Sequence, residues 1–187
     1  LPMLGEDDRC ASHSIHLAGS QNGWERPDPK LGQKLVLSRR TKLTLRVPSE
    51  HRDRIEQALS GVTLDIDGHP LTIGKAKPKT LSRQGTIFAR HIVLEPGEDT
   101  DENAFLMRVV TDLKARGIRV KKALCGITQQ IDTPQGRLQT RSIMLADLSS
   151  QDSLRLQQEG LGSHRRLGCG IFIPHKGIEA VKQQEDE

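Results

Sequence analysis

The segment from residue 160 to residue 176 combines glycines and cations in a pattern suited to binding an anion. Two Gly-apolar-Gly triplets, Gly160–Gly162 and Gly168–Gly170, enclose a short insert with three basic side chains, His164, Arg165 and Arg166. Glycine adopts positive φ readily and lets backbone amides approach a ligand closely. Successive amides in such a loop form an anion-binding concavity, and arginine adds a forked donor that fits phosphate. We therefore expect a phosphate-binding loop, in which Gly162 and Gly168 shape the backbone.

The order of elements around this loop excludes two common phosphate sites. A Walker-type loop needs Lys-Ser/Thr and a helix directly after its glycines, whereas here the apolar run Ile171–Ile173 follows. A dinucleotide-binding loop needs a strand before the glycines and a helix after them, and here a helical pattern comes first. A plain helix C-cap remains an alternative, because glycine is favoured there. It accounts for Gly160 or Gly162 but not for four glycines around a basic insert.

A second group of reactive side chains lies near the beginning of the chain, at Cys10, His13 and His16. Histidine can accept or donate a proton near neutral pH. In a polar segment, however, such a histidine is most often a solvent-exposed residue. The C-x₂-H-x₂-H spacing also supplies three zinc ligands, but the usual four-ligand patterns are absent. We expect no metal and no other cofactor.

The distribution of charge favours a polyanionic partner. The chain has 28 basic and 24 acidic side chains in 187 residues, but eight of the acids lie in the segment 95–102 and the tail 185–187. Two other stretches, 30–47 and 69–94, contain basic residues and no acid. Their candidate phosphate contacts are Lys34, Arg39, Arg40, Lys42 and Arg83, and Lys176 follows the glycine-rich loop. Such basic segments on a chain of this size point to nucleic acid.

The scarcity of aromatic residues limits how nucleic acid could be recognised. The chain has one Trp, three Phe and no Tyr, too few for an RNA reader that stacks bases on its strands. Charge and shape should dominate, which favours a structured RNA such as a hairpin. The three cysteines lack paired spacing, and no apolar run approaches membrane-spanning length. We expect a cytoplasmic protein without a membrane partner.

The second half of the chain predicts a β-α-β-β-α-β unit. Residues 86–94 form a predicted strand, 102–116 a helix, 118–131 and 137–148 two strands, 149–159 a helix and 171–173 a strand. This order is the split motif of ferredoxin-like folds. The helix at 102–116 places Phe105, Leu106, Val109, Val110 and Leu113 on its apolar stripe.

The first half predicts the same unit without its opening strand. Residues 1–4 are predicted to end a helix, 9–33 form a long polar loop, and 35–47 form a strand. A helix to residue 59 begins at Ser49 as N-cap, and a hairpin turns at Asp67-Gly68. The chain starts with Leu, so we expect its natural beginning to be missing. We predict an α+β fold of two tandem ferredoxin-like, RRM-like domains, 1–80 and 81–187, the second with glycine-rich loop 160–170 and an acidic tail.

With these features, the chain resembles the RAMP superfamily of CRISPR-associated proteins. Within it, the chain is most similar to the repeat-cleaving endoribonucleases of the Cas6 family, Myxan subtype. The resemblance rests on the two glycine triplets, five residues apart, and on Ile171–Lys176 directly after them. The predicted tandem domains extend it over nearly the whole chain. Related proteins that do not cleave RNA also carry such a loop.

The resemblance implies a metal-independent endoribonuclease that cuts CRISPR repeat RNA in pre-crRNA to give crRNA. In the family, a histidine after the first helix performs the acid/base chemistry, and the matching positions are His13 and, second, His16. The ribose 2′-OH attacks the adjacent phosphate and leaves a 2′,3′-cyclic phosphate. A cation stabilises the phosphorane; the candidates are Lys34, Arg39, Arg40 and Lys42. By the same analogy, the protein stays on its stem-loop product and joins other CRISPR effector subunits.

Two other classes of function remain open from the sequence. One is a non-catalytic RAMP subunit that holds the guide RNA of an effector complex, and only His13 separates the enzyme from it. The other is a ferredoxin-like RNA-binding domain outside CRISPR systems, such as a ribosomal or tRNA-associated module. The second alternative fits the composition but leaves the pair of glycine triplets unexplained.

Overall fold

The computed structural model describes residues 7, 9–13, 42–66 and 68–176. These residues form a mixed α+β structure in which every strand pairing is antiparallel. The predicted helix end at 1–4, the polar segment 14–33 and most of the predicted strand at 35–47 lie outside the described residues, as does the acidic tail.

A four-stranded sheet forms the centre of the second half, in the order β6-β7-β5-β8. Its strands are β5 (Ile87–Val93), β6 (Lys122–Thr133), β7 (Gly136–Ala146) and β8 (Phe172–Pro174). Two helices complete the unit, α2 (Glu102–Ala115) after β5 and α3 (Ser150–Glu159) after β7. The predicted β-α-β-β-α-β order of elements is therefore confirmed for this half. The strand predicted from residue 118 begins only at Lys122.

Both helices begin at side-chain caps that the sequence supplies. The Asp101 carboxylate accepts from the Ala104 N–H at 3.0 Å, and the Ser149 hydroxyl accepts from the Asp152 N–H at 3.0 Å. The core lies between the helices and one face of the sheet, and includes Ile87, Ile143, Leu145, Phe105, Val109, Leu113, Leu156 and Phe172. On the predicted apolar stripe of α2, Leu106 is only half-buried and Val110 is exposed.

A buried ion pair connects the acidic segment after β5 to α2. The Glu98 side chain, 5% exposed, accepts from Arg108 Nε at 2.6 Å and from Nη2 at 2.8 Å. Arg108 also donates to the Val93 carbonyl at 3.0 Å. The hydrogen bond from Arg108 lowers the pKa of Glu98. Part of the acidic run is thus a structural element and not only solvated surface.

The first half contains two short ladders and one helix. They are β1 (Ala11–Ser12) with β2 (Leu45–Arg46), α1 (Arg52–Leu59), and the hairpin β3 (Thr63–Ile66) with β4 (His69–Thr72). The predicted hairpin is confirmed, and Gly68 has a φ of +77° at its turn. The prediction that Ser49 caps the helix is wrong, since a 3₁₀ turn over Ser49–His51 precedes α1 without a side-chain cap.

Strand β1 lies where the sequence predicts a loop. Two residues are too few to show an alternating pattern, and their partner strand lies 33 residues away in the chain. In the described part of the predicted strand 35–47, only Leu45–Arg46 has strand structure. Pairing between distant segments is set by tertiary packing, which local sequence does not encode.

The connection between the two halves is held along α3. The side-chain amide of Gln157, 1% exposed, donates to the Ser82 carbonyl at 2.6 Å and accepts from the Ser82 N–H at 3.2 Å. The Ser153 hydroxyl donates to the Gln84 carbonyl at 2.6 Å. The end of the basic segment 75–83 is therefore fixed to the second half. Across the described ranges, the helices are all too short or too polar to cross a membrane.

Candidate nucleic-acid interface and active site

The glycine-rich loop, residues 160–170, bends through repeated left-handed backbone conformations. A 3₁₀ turn over Arg165–Leu167 occupies its centre, with His164 in the left-handed region at a φ of +61°. The four triplet glycines also have positive φ: Gly160, Gly162, Gly168 and Gly170. Positive φ is thus the reason for glycine at these four positions, as the sequence predicts.

Gly160 and Gly170 allow the two ends of the loop to approach each other closely. The Leu161 N–H donates to the Gly170 carbonyl at 3.0 Å, and the Gly170 N–H donates to the His91 carbonyl at 2.7 Å. A Cβ on Gly160 would lie 2.4 Å from the Gly170 oxygen, and a Cβ on Gly170 would lie 2.3 Å from the Leu161 oxygen. Neither position can hold a side chain without movement of the backbone.

Several loop amides bind loop carbonyls. The N–H groups of Leu167 and Cys169 both donate to the His164 carbonyl, at 2.9 and 3.2 Å, and that of Gly168 donates to the Arg165 carbonyl at 3.2 Å. The N–H groups of Gly160, Leu161 and Gly170 donate to the carbonyls of Leu156, Gly170 and His91. Six amides of the loop therefore donate to protein carbonyls and are not open donors in this structure, and the assignment of Gly168 to RNA binding stays a prediction.

The two adjacent arginines of the loop have different environments. Arg165 is half-buried and donates from Nη1 to the Glu159 carbonyl at 2.5 Å and from Nη2 to the Gln158 carbonyl at 2.9 Å. Burial lowers the pKa of its guanidinium. Both terminal nitrogens of Arg165 therefore donate to carbonyls of the protein in this structure, and its assignment to RNA binding stays a prediction. Arg166, by contrast, is exposed.

His164 is the other exposed basic side chain of the loop. Its Nδ1 lies 2.7 Å from the Ser163 hydroxyl, which leaves the imidazole at the surface beside Arg166. Gly162 is also exposed, and a Cβ placed there meets nothing within 4 Å. Gly162, His164 and Arg166 thus form the exposed outer side of the loop.

The structure brings the His13 segment to this loop. Strand β1 packs against the 3₁₀ turn at Arg165–Leu167, and His13 follows β1 directly. The His13 N–H donates to the Thr44 carbonyl at 2.9 Å, which continues the ladder with β2, and the side chain is half-buried. Residues about 150 positions apart in the sequence therefore meet at one place.

A polar cluster fixes the chain just before β1. The Arg9 guanidinium contacts Asp7 at 2.7 Å and Glu50 at 2.9 Å, and His51 Nε2 lies 3.2 Å from the Asp7 carboxylate. The hydrogen bonds from Arg9 hold the pKa of Asp7 well below its usual range. This cluster and the ladder with β2 position β1 from both sides.

The alternative of a zinc site concerns Cys10, His13 and His16. Cys10 is buried, and burial raises the pKa of its thiol. His16 lies outside the described residues. Within the part of the chain that the structure describes, His, Cys, Asp and Glu side chains form no group of three placed to hold a metal ion.

The other predicted contacts are spread around this junction or lie outside the described residues. Lys42 is exposed two residues before Thr44, and Arg83 is exposed next to the part of the chain that Gln157 holds. Lys176 is exposed after β8. Lys34, Arg39 and Arg40, like His16, belong to the undescribed ranges.

Sequence reasoning missed one residue of the junction, Arg46. It donates from Nη1 to the Gln157 carbonyl and to the Phe172 carbonyl, the latter at 3.2 Å. In the sequence it is one of six cations in the basic stretch 30–47. Its position between two apolar neighbours, Leu45 and Val47, was the available signal that it lies in packed structure.

An antiparallel α+β fold whose basic glycine-rich loop contacts a histidine-bearing segment is an arrangement that could hold RNA, and comparison with known proteins places it among CRISPR-associated proteins. The model of the Cas6 CRISPR family matches residues 1–177. The chain therefore belongs to the Cas6 family.

Individual proteins are also similar to the chain. It is 29% identical over 140 residues to the CRISPR-associated endonuclease Cas6 of Myxococcus xanthus strain DK1622, which covers 75% of this chain. The chain spans 59% of the length of that relative. A solved structure of a Cas6-related protein from Pyrococcus furiosus is 12% identical with a TM-score of 0.46, over 91% of this chain and 80% of the other.

Proposed function

We propose that this protein is a metal-independent endoribonuclease that binds the stem-loop of CRISPR repeat RNA in pre-crRNA and cleaves it to mature crRNA. The ribose 2′-OH attacks the neighbouring phosphorus, the P–O5′ bond breaks, and the products carry a 2′,3′-cyclic phosphate and a 5′-OH. Membership of the Cas6 family supports the substrate class. The observation that carries the mechanism is the packing of the His13 segment on the glycine-rich loop.

The roles follow from which side chains face outward. His164 and Arg166 contact the RNA backbone from the exposed side of the loop, and Arg165 contributes by holding the loop in shape. His13 acts on the proton of the 2′-OH or of the leaving oxygen, since a histidine can perform either step near neutral pH. Acid/base catalysis of this kind typically contributes about 10²–10⁴-fold.

Lys42 is the cation we assign to the developing charge on the phosphorane. The ladder register places Thr44 opposite His13, and Lys42 is two residues further along the same segment. Continued with regular geometry, this ladder would make Lys42 and His13 diagonal neighbours about 7–8 Å apart at Cα, within reach of a lysine side chain.

The domain organisation that supports this site is two tandem ferredoxin-like domains with a boundary near residue 80. The support for it is the β-α-β-β-α-β order of the second half and the short helix and hairpin of the first. In this arrangement the active site lies where the two domains meet. The crRNA product stays bound and is passed to other CRISPR effector subunits.

The test is cleavage of a 5′-labelled hairpin with the CRISPR repeat sequence of the same genome, in EDTA. We expect a specific cut, and a 5′-labelled product whose 3′ end cannot be ligated or polyadenylated, reactions that need a free 3′-OH, until the cyclic phosphate is removed. His13→Ala should lower the rate at least about 10²-fold with little change in Kd. His69→Ala, at an exposed position in β4, is the matched control. Binding without cleavage by the wild type would favour a non-catalytic RAMP subunit instead.

The RNA contacts are tested by the salt dependence of binding. Removal of one phosphate-binding side chain should reduce the slope of log K against log salt by about 0.7–0.9. We expect this reduction for Arg166→Met and not for Arg52→Met, which removes an exposed arginine paired with Asp53 in α1. If the slope of log K against log salt is the same for Arg166→Met as for Arg52→Met, the outer side of the loop is not part of the interface.

A further inference from the structure

The C-terminal end of α3 is satisfied by arginines from three parts of the chain. The last carbonyls of a helix have no donor within it, and the negative end of the helix dipole favours cations there. Four consecutive carbonyls at this end each accept from a guanidinium: Gln157 from Arg46, Gln158 and Glu159 from Arg165, and Gly160 from Arg116 at 2.9 Å. The end of α3 is thus a meeting point for segments that are distant in the sequence.

Arg46 is the member of this set that comes from the first half of the chain. It reaches from β2 to two carbonyls of the second half, those of Gln157 in α3 and Phe172 in β8. Burial and the neighbouring Arg165 lower the pKa of Arg46 to about 10. The side chain therefore remains charged at neutral pH, and its Nη1 alone donates to both carbonyls.

The ladder of β1 and β2 connects Arg46 to His13. Ala11 pairs with Arg46, Ser12 pairs with Leu45, and the His13 N–H binds the Thr44 carbonyl. A shift of Arg46 away from the two carbonyls would move this ladder relative to α3, and hence relative to the glycine-rich loop that continues from α3. The distance between His13 and a phosphate held on the loop depends on this attachment.

We propose that Arg46 is a positioning residue for RNA cleavage, which fixes the His13 ladder to the end of α3 and so sets the histidine against the phosphate bound at the loop. This inference rests on the proposed function, since it assumes that His13 acts in cleavage. Arg46 is half-buried and its Nη1 donates to two protein carbonyls, and we therefore assign it to the chemical step and not to RNA affinity. A misplacement of about 1 Å can cost about 10² in rate.

The experiment separates the rate of cleavage from affinity. In Arg46→Ala, the single-turnover rate constant at saturating repeat hairpin should fall about 30- to 100-fold, while Kd measured with a non-cleavable 2′-deoxy hairpin changes less than about 3-fold. Added guanidinium chloride at low millimolar concentration should restore part of the rate by occupying the vacated space. The variant Arg46→Lys keeps the charge without the guanidinium group. Its single-turnover rate constant should lie between those of Arg46→Ala and the wild type. Arg52→Ala is the matched control for loss of one cation and should behave as the wild type with or without guanidinium.

The outcomes distinguish this inference from the proposed function. A raised Kd with a normal rate constant at saturation would make Arg46 an RNA contact and overturn the positioning role, as would a wild-type rate and affinity in Arg46→Ala. Absence of cleavage by the wild type would overturn the proposed function, and the positioning role with it. Should Arg46→Ala not fold, Arg46→Lys decides by the same comparison: a lowered rate constant with unchanged Kd supports positioning, and two unchanged values contradict it.

Discussion

Substitution of alanine for Gly170 should open the glycine-rich loop, whereas the same substitution at Gly162 should not. Both residues have similar φ values, +68° and +74°, so both variants bear the cost of a left-handed alanine, about 1–2 kcal/mol. They differ in their surroundings. The new Cβ lies 2.3 Å from the Leu161 oxygen in the first case and meets nothing within 4 Å in the second.

The magnitude of the difference follows from the bonds that must yield. A contact of 2.3 Å requires a backbone shift of about 1 Å, which separates the Gly170 carbonyl from the Leu161 N–H and strains the bond from the Gly170 N–H to His91. Each such bond contributes about 0.5–1.5 kcal/mol. We therefore expect Gly170→Ala to lower the free energy of unfolding by about 2–5 kcal/mol and Gly162→Ala by about 1–2 kcal/mol.

The assay is urea denaturation of the two variants and the wild type under one set of conditions. The effect of alanine on the unfolded chain is the same at both positions and cancels in the comparison. Equal losses of stability would refute the reasoning, because they would mean that the loop ends do not approach each other closely. Equal slopes against urea concentration would show that the comparison concerns stability alone.

Three further predictions concern buried groups. Glu98→Gln should lower the free energy of unfolding by about 3 kcal/mol at pH 7 because it leaves Arg108 without its charged partner. The pKa of Glu98 is lowered in the folded state, so this contribution is fully present above the ordinary value of 4.5 and declines as the pH falls below it; a difference that grows at low pH would contradict this. Gln157→Leu should cost about 2 kcal/mol in thermal or urea unfolding, since it leaves both backbone groups of Ser82 without partners; a loss below about 0.5 kcal/mol would mean that the connection is not held there. Burial raises the pKa of Cys169 to about 11, so iodoacetamide at pH 8 should label it in urea but not in the native protein, as read by mass spectrometry.

The elements that the sequence predicts correctly are those with local signals. Helix α2 begins at Glu102 after the cap Asp101, and helix α3 begins at Ser150 after the cap Ser149. The β3–β4 hairpin follows from a two-residue turn at Asp67-Gly68. In each case the residues that decide the structure lie within a few positions of one another.

The parts that the sequence does not predict depend on distant contacts. Strand β1 exists only through its pairing with Leu45–Arg46 and its packing on the loop, and neither can be read from Ala11–Ser12 alone. Arg165 and Arg166 are identical in type and adjacent, yet one donates to α3 carbonyls and the other is exposed. Which of two neighbouring cations turns inward depends on where α3 ends relative to the loop, and this is a property of the tertiary structure.

The internal bonding of the loop also changes what its glycines imply for recognition. If the loop bound phosphate through its amides, the ligand would replace water at donors held open for it. Here six of those amides already donate to carbonyls of the protein, so in the proposed function phosphate is met by side chains on the exposed side of the loop. A loop with two exposed cations provides charge without selecting a base. In the proposed function, selection of a hairpin would then come from the geometry of the whole junction, including the distance between the loop and His13.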